Sequence, residues 1–173
     1  IFYLNRTGCA WRMLPKDFPP YMIVYTYFSR WRNDGTWQRI HDSLGVQLRR
    51  SQGRNAEPSA SILDSQSIDI ADQAGERGYD AGKKVKGRKR NILVDTLGII
   101  LLLTVTVASV QDREGAKQLL QPLENTRPRI TIIWADGGYS GEDFSDWVSE
   151  VRDDDEQEID LEIVKRSDDV SGF

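Results

Sequence analysis

The sequence predicts an α/β fold in which a mixed β-sheet is flanked by helices and preceded by a small N-terminal helical domain. Apolar residues recur with helical spacing through the first fifty residues, and after Ser59 the spacing changes to the short apolar runs that are typical of strands. Three of these runs come first, and helices then alternate with strands. This order favours a mixed sheet with helices on its faces.

The N-terminal domain is predicted over residues 1–52 as two helices joined by a tight turn. One apolar face follows Pro19 and Pro20, and a second follows an Asn-Asp-Gly turn, with Thr36 as the expected N-cap of the second helix. The first face contains Val24, Tyr27, Phe28 and Trp31, and the second contains Trp37, Ile40, Leu44 and Leu48.

Two interpretations of this helical pair stay open. Several arginines surround it, and such a pair can place a helix against DNA in the manner of a helix-turn-helix. Many helical hairpins that pack on their own core also carry arginines on their surface. The arginines are Arg30, Arg32, Arg39, Arg49 and Arg50.

The second domain is predicted over residues 53–173, after a polar linker. Its first strand lies within SASILDSQSIDI and carries Asp64 near the middle, and a glycine-rich, charged loop follows through Gly82. Two β-rich runs around Thr96-Leu97-Gly98 then predict a hairpin.

Helices and strands alternate through the rest of the second domain. Asp112 is the expected cap of a helix that is interrupted near Pro122, and RITIIWA is the fourth strand. Ser140 and Asp143 match a capping box ahead of the next helix, and IDLEIVK is the fifth strand. The order β-β-β-α-β-α-β is that of an RNase H-like fold, which is one of several architectures that it permits.

Composition and charge limit the class of protein. The longest apolar run, residues 99–108, is too short to cross a bilayer, and the single cysteine excludes an internal disulfide. We therefore expect a cytoplasmic protein with no membrane partner. Residues 1–57 carry nine Lys/Arg and four Asp/Glu, whereas residues 111–173 carry seven and seventeen. This asymmetry suggests that the N-terminal part of the chain faces nucleic acid, although the acidic C-terminal part alone is equally typical of a solvated surface.

Asp64 and Asp136 are the candidate metal ligands. Neighbouring strands lie about 4.8 Å apart, so these side chains meet if the first and fourth strands are adjacent. Two close carboxylates repel each other unless a cation neutralises both, and Mg²⁺ prefers carboxylate oxygens completed by water or phosphate. Both residues belong to apolar runs, where an unpaired charge is costly. The alternative is a turn or helix-capping aspartate at each place.

A dense basic cluster between residues 83 and 90 is the candidate DNA-binding surface. Clustered cations near carboxylates suit phosphate binding, with an affinity that falls steeply as salt rises. The alternative is a solvated hairpin edge protected by lysines. The cluster consists of Lys83, Lys84, Lys86, Arg88, Lys89 and Arg90.

Several motifs together indicate a family. The chain contains, in this order, LDSQS, GYDAGKKVKGRKRNILVDTLG, QDREGA, IWADGGYSG and LEIVKR. These segments closely resemble bacterial insertion-sequence transposases of the IS-five type, within the DDE transposase superfamily. The stretch GCAWRMLPKDFPPYMIVYTYFSRWRNDGTW is similar to that family's helical N-terminal domain. Asn91 departs from the pattern, since many relatives have histidine there.

The resemblance implies an RNase H-like core in which Asp64 and Asp136 match the first two catalytic acids and bind Mg²⁺ or Mn²⁺, two ions in the complete enzyme. The implied partner is double-stranded DNA, both as terminal inverted repeats and as target, and the six basic residues are implied to lie near it. The implied reaction is hydrolysis of a phosphodiester and attack of the freed 3′-hydroxyl on target DNA by a homo-oligomer.

The third acid of the family, a glutamate on a helix after the fifth strand, has no match in this sequence. Glu142 and Glu150 precede that strand, and Glu162 lies inside it. We therefore expect a C-terminally truncated core that cleaves DNA poorly or not at all. Two alternatives stay open, a non-catalytic DNA-binding remnant of a decayed element and a cellular nuclease of the same fold.

Overall fold

The protein consists of two compact units. The computed structural model describes residues 1–70, 75–152 and 158–164. The units are Ile1–Ala56 and Glu57–Phe173. Within the described ranges no helix has both the length and the apolar character needed to span a bilayer.

The first unit is helical. A short helix, α1 (Phe2–Thr7), is followed by a 3₁₀ turn at Trp11–Met13 and then by α2 (Tyr21–Asn33) and α3 (Thr36–Ser51). The two helices predicted from apolar spacing are therefore confirmed as α2 and α3. Helix α2 begins directly after Pro20, whose fixed φ suits the residue before a first helical turn.

The turn between α2 and α3 differs from the prediction at the cap. Gly35, with φ 73°, occupies the N-cap position, and Thr36 is the first helical residue. The carboxylate of Asp34 accepts a hydrogen bond from the Thr36 backbone N–H at 2.9 Å. The prediction of Thr36 as N-cap is wrong because a left-handed glycine and the preceding aspartate close the turn instead.

Aromatic rings pack at the end of the helical pair that is nearest the turn. The ring centroids of Trp31 and Trp37 lie 5.3 Å apart, and those of Trp11 and Phe28 lie 5.2 Å apart. The apolar face of α3 is exposed further along the helix, at Ile40, Leu44 and Leu48. The two predicted faces therefore meet chiefly through their aromatic members.

The second unit contains a mixed six-stranded sheet in the order β2-β3-β1-β5-β6, with β4 also paired to β3. The pairs β1/β3, β2/β3 and β3/β4 are antiparallel, whereas β1/β5 and β5/β6 are parallel. The strands are β1 (Ala60–Asp69), β2 (Gly78–Asp80), β3 (Val85–Asp95), β4 (Ile100–Val107), β5 (Ile132–Ala135) and β6 (Asp160–Ile163). This mixed α/β architecture agrees with the predicted RNase H-like core.

Strand β2 is absent from the prediction. Its three residues, Gly78–Asp80, lie in the stretch that was expected to be a loop, and they pair with the first residues of β3. The β3/β4 hairpin is confirmed. Gly98 has φ 78°, and its N–H donates to the Asp95 carbonyl oxygen at 2.9 Å across the turn.

The core lies between one face of the sheet and the helices α4 (Asp112–Leu120), α5 (Leu123–Thr126) and α6 (Glu142–Ser149). Leu63, Leu93 and Ile133 supply the sheet side. The helices supply Ala116, Leu119, Leu120, Leu123, Phe144 and Val148. Ile62, Leu103 and Val105 point to the other face and are exposed. Pro122 separates α4 from α5, as its missing N–H predicts.

Two helix starts in this unit differ from the prediction. Gln111 is the N-cap of α4, and Asp112 is its first helical residue, with its carboxylate turned toward the sheet. Gly141 is the N-cap of α6, and the Ser140 hydroxyl donates to the Gly137 carbonyl oxygen at 2.7 Å rather than closing a capping box with Asp143. Both expected caps are wrong because the Asp112 and Ser140 side chains are hydrogen-bonded to residues outside the helices that they were expected to cap.

Candidate active site

Asp64 and Asp136 occupy matching positions on neighbouring strands. β1 and β5 are adjacent and parallel, and Leu63 is paired with Ala135 at the end of their common register. The next residue is Asp64 on β1, and Asp136 directly follows β5. The two aspartates line one pocket together with Ile62, Trp134 and Val164. The fold therefore places the two predicted acids on neighbouring strands, at the point where β5 ends beside the middle of β1.

Each carboxylate is oriented by a local backbone N–H group. Asp64 Oδ1 accepts a hydrogen bond from the Ser65 amide at 2.7 Å, and Asp136 Oδ1 accepts one from the Gly138 amide at 2.9 Å. No hydrogen bond to Oδ2 of either aspartate occurs in the part of the chain that the structure describes. One oxygen of each residue is thus fixed, and the other is available to a ligand.

Both aspartates are exposed, which corrects one argument from the sequence. Membership of apolar runs suggested that an unpaired charge would be costly at these positions. The runs are buried only on the face that packs against the helices, and Asp64 points to the opposite face, next to the buried Leu63. Burial therefore does not force a counter-ion on either carboxylate, and the case for a metal depends on their proximity.

Paired carboxylates with free oxygens match the ligand preference of Mg²⁺ and Mn²⁺. Among the described residues no group of three or more Asp, Glu, His or Cys side chains is arranged to hold a metal ion. Asp64 and Asp136 are therefore two protein ligands at most from this part of the chain. Mg²⁺ commonly binds through one or two carboxylates, with water and substrate phosphate as the other ligands.

Tyr139 ends the 3₁₀ turn that Asp136 caps, Gly137–Tyr139, and its side chain is buried. Burial raises the pKa of its hydroxyl above the ordinary value, the Ser65 side chain opposes that shift, and the carboxylates of Asp112, Asp64 and Asp136 raise it further. The phenol is therefore neutral at physiological pH.

A polar network lies behind Asp64, on the helix-facing side of the sheet. The Ser65 hydroxyl donates to Asp112 Oδ1 at 2.9 Å, and Lys89 Nζ lies 2.7 Å from the same oxygen. Lys89 Nζ is also 3.3 Å from Asp80 Oδ2 and donates to the Val110 carbonyl oxygen at 2.8 Å. Sequence reasoning missed this network. The only signal for Asp112 was its place in the motif QDREGA.

The six predicted basic residues do not form one surface. Lys86, Arg88 and Arg90 alternate along β3 on the face that carries Asp64, since Arg90 is paired with Gln66 and Arg88 with Ile68 on β1. We call these three residues the basic row. The Arg90 guanidinium donates to Gln66 Oε1 at 2.8 Å.

The remaining three basic residues have other surroundings. Lys89 points to the helix-facing side, is buried, and is held by two carboxylates. Lys83 Nζ donates to the Ser65 carbonyl oxygen at 3.0 Å, and Lys84 is exposed in the β2–β3 turn with φ 54°. Lys89 is therefore part of the protein interior, whereas its neighbours in sequence, Arg88 and Arg90, are half-buried and exposed respectively. Asn91, the departure from the family pattern, is also buried, against Gly115 of α4.

Comparison with protein families agrees with this geometry. A model described as the transposase DDE domain matches residues 55–173, and a model described as a putative transposase of the IS4/5 family matches residues 1–41. The first match covers more than half of the chain. The chain belongs to the DDE transposase family. The resemblance found in its motifs is thereby confirmed.

Membership of the DDE transposase family gives the site a general chemistry. Such domains generally depend on divalent metals and act on DNA. The N-terminal match assigns the helical unit to the same kind of transposase as the core. No curated protein and no solved structure matches the chain.

Proposed function

We propose that this DDE transposase hydrolyses a phosphodiester at the ends of an insertion sequence and transfers the freed 3′-hydroxyl to target DNA. In this proposal Asp64 and Asp136 hold Mg²⁺ or Mn²⁺. The pairing of Leu63 with Ala135 on parallel strands carries the proposal, because each of these residues is followed by one of the two aspartates. Two carboxylates then line one pocket where β5 ends beside β1, with one oxygen each free for a cation.

The residues of the chain hold and orient the reacting groups. The Ser65 and Gly138 amides fix Oδ1 of each aspartate, so that Oδ2 is available without rearrangement. Tyr139 stays a neutral phenol and adds no negative charge near the pair. When bound, divalent ions supply an activated water and neutralise charge on the leaving oxygen.

The basic row provides a path for the DNA backbone. Its three side chains share the sheet face of Asp64, and because a strand advances about 3.3 Å per residue, the row extends over about 13 Å. Lys84 extends the positive surface at the β2–β3 turn, whereas the Lys83 ammonium group donates to Ser65. Lys89 is not part of the proposed DNA contact because its ammonium group is buried between Asp80 and Asp112. We include terminal inverted repeats, target DNA and a homo-oligomer in the proposal.

A second candidate function is DNA binding without catalysis. One observation favours it, namely that the described residues contain no third acidic side chain arranged to hold a metal with Asp64 and Asp136. Such a protein would keep the basic row and lose the chemistry. The two candidates differ in cleavage and agree in DNA binding.

Cleavage of a supercoiled plasmid that carries both ends of the encoding element tests the proposal. The wild-type chain is incubated with Mn²⁺ or Mg²⁺ beside Asp64→Asn, Asp136→Asn and the matched control Asp146→Asn, which removes one exposed carboxylate from α6. Because no third acid accompanies the pair among the described residues, we expect nicking to be weak and confined to the wild type and the control, while all four proteins retard the DNA equally. Asparagine keeps the shape of the side chain and removes the charge that a metal needs.

The possible results separate the candidates. Nicking that survives in Asp64→Asn or Asp136→Asn removes that residue from the site. Retardation of DNA by every protein, with nicking by none, supports the non-catalytic candidate. Cleavage by a chain that does not distinguish element ends from other DNA supports a nuclease rather than a transposase.

A further inference from the structure

The first residue of α4 is tied to the strand residue that orients Asp64. Asp112 Oδ1 accepts the Ser65 hydroxyl at 2.9 Å, and Ser65 in turn donates its backbone N–H to Asp64 Oδ1 at 2.7 Å. Ser65 is held from a second side by Lys83 Nζ, which lies 3.0 Å from its carbonyl oxygen and 3.1 Å from its hydroxyl. Ser65, which the β1/β3 pairing places opposite Asn91, is thus also held by charged side chains that are distant in sequence.

The second residue of α4 reaches the turn that orients Asp136. Arg113 Nε donates to the Gly138 carbonyl oxygen at 3.5 Å, and Gly138 donates its N–H to Asp136 Oδ1 at 2.9 Å. The bond from Arg113 is at the long limit of hydrogen-bond geometry and is weaker than the bond from Ser65 to Asp112. Two consecutive residues of one helix therefore contact the residues whose amides orient the aspartates, Asp112 through the Ser65 hydroxyl and Arg113 through the Gly138 carbonyl oxygen.

Lys89 holds the Asp112 carboxylate in place. Its side chain is 5% exposed, and its ammonium group lies 2.7 Å from Asp112 Oδ1 and 3.3 Å from Asp80 Oδ2. A buried ammonium group with two carboxylate partners restricts the Asp112 side chain to one position, because any other position leaves the cation less well compensated. The ion pair therefore fixes α4 relative to β1 and β3.

We propose that Asp112 is a positioning residue, which holds Ser65 so that its amide keeps the Asp64 carboxylate aimed at the shared ligand site with Asp136. Asp112 contacts neither the metal ligands nor their free oxygens in this proposal. It acts through Ser65, and Lys89 sets its own orientation. The inference rests on the proposed function only where it concerns the consequence for metal binding.

Amide hydrogen exchange without metal tests the positioning directly. The variants are Asp112→Ala, Asp112→Asn and the matched control Glu114→Ala, which removes another acidic residue from the first turn of the same helix and is 61% exposed. We expect exchange of the Ser65 amide to accelerate about tenfold in Asp112→Ala, the loss equivalent to one hydrogen bond to a charged group. Asparagine keeps an acceptor for the Ser65 hydroxyl, so Asp112→Asn should recover part of the protection.

The Ile133 amide serves as the internal reference because Ile133 is fully buried in the sheet. If Asp112 only stabilised the fold, its loss would lower global stability and accelerate exchange of the Ser65 and Ile133 amides in proportion. Proportional acceleration, unchanged Ser65 exchange, or an equal effect of Glu114→Ala overturns the inference. This readout needs no metal and no DNA, so it decides the positioning role even if the chain is not catalytic.

Mn²⁺ binding to the full chain, measured by titration calorimetry and by the paramagnetic signal of the free ion, tests the consequence. We expect Asp112→Ala to weaken binding about tenfold or more, as is usual when a partner behind a metal ligand is lost. Glu114→Ala should bind as the wild type does, and Asp64→Asn should not bind. Absence of Mn²⁺ binding in the wild type contradicts the proposed function and leaves the exchange result to decide the role of Asp112. Wild-type affinity in Asp112→Ala overturns its role in aiming Asp64.

Discussion

Lys89 Nζ lies 2.7 Å from Asp112 Oδ1, which joins the middle of β3 to the start of α4 through a buried ion pair. Lys89 belongs by sequence to a basic cluster, yet it shares a strand face with Asn91 and Leu93 in the interior. Within one strand, therefore, alternate basic residues have different surroundings. Lys86, Arg88 and Arg90 lie on the outer face of the sheet, and Lys89 connects the sheet to the helix that covers it.

Lys89→Met should destabilise the second unit by about 3 kcal/mol, because removal of one partner leaves Asp80 and Asp112 facing each other without their shared cation. Urea unfolding followed by circular dichroism measures the change. Lys86→Met is the control, since Lys86 is exposed on the opposite face of the same strand and should change stability by no more than about 0.5 kcal/mol. Equal effects of the two substitutions would show that Lys89 has no special partner.

Asp80 should make stability sensitive to acid. A hydrogen bond from the Ser67 hydroxyl, then one from the Lys83 amide, and the charge of Lys89 lower the pKa of Asp80 from 3.8 to about 2, against the opposing effect of burial. A carboxyl group whose pKa is lower in the folded state stabilises the fold above the unfolded pKa, and this contribution disappears as the pH falls through the folded value.

Comparison of wild type with Asp80→Asn measures that contribution. The wild type should be the more stable protein at about pH 7, and the difference should shrink as the pH falls from 3.8 toward about 2. Denaturant midpoints across this range provide the measurement. A difference that stays constant, or grows with acidity, would contradict the lowered pKa.

The strand positions of Asp64 and Asp136 were predictable from sequence, because each aspartate belongs to an apolar strand pattern. The adjacency of their strands was only a condition of the prediction, since the pairing of β1 with β5 joins segments that are distant in sequence. The network behind the two aspartates was not predicted. The contacts of Asp112 join residues from β1, β3 and α4, and no local pattern encodes such an encounter.

The alternation of a strand between its two faces predicts that Lys89 and its neighbours on β3 point to opposite sides of the sheet. The high density of basic residues suggested one continuous surface instead. Lys89 is two residues from Asn91 and four from Leu93, so a strand places all three on one face. The helix caps failed for another reason. Thr36, Asp112 and Ser140 each lie one residue from the true N-cap, and cap identity depends on backbone angles that residue type only biases.

Neutralisation of the basic row should weaken DNA binding and flatten its salt dependence. Lys86→Gln, Arg88→Gln and Arg90→Gln should each lower the slope of log K against log salt by about 0.9 for every DNA phosphate that the variant no longer neutralises. Fluorescence anisotropy with a duplex from the element ends, at several salt concentrations, gives the slopes. Arg129→Gln is the control because Arg129 precedes β5 and lies at the opposite end of that strand from Asp136. Unchanged slopes in the three variants would show that the basic row does not contact DNA phosphates.

Gly115 should be intolerant of alanine, although alanine is the better helix former by about 1 kcal/mol. A Cβ at residue 115 would lie 2.5 Å from Oδ1 and 2.6 Å from Nδ2 of Asn91, which is fully buried and cannot swing away into solvent. Gly115→Ala should therefore cost about 1–3 kcal/mol through overpacking between α4 and β3. The double variant Gly115→Ala/Asn91→Ala removes the obstructing amide, so alanine at 115 should cost much less in an Asn91→Ala background than in the wild type. A double-mutant cycle from urea unfolding measures this coupling, and additive effects of the two substitutions would show that Asn91 does not set the limit on the approach of α4.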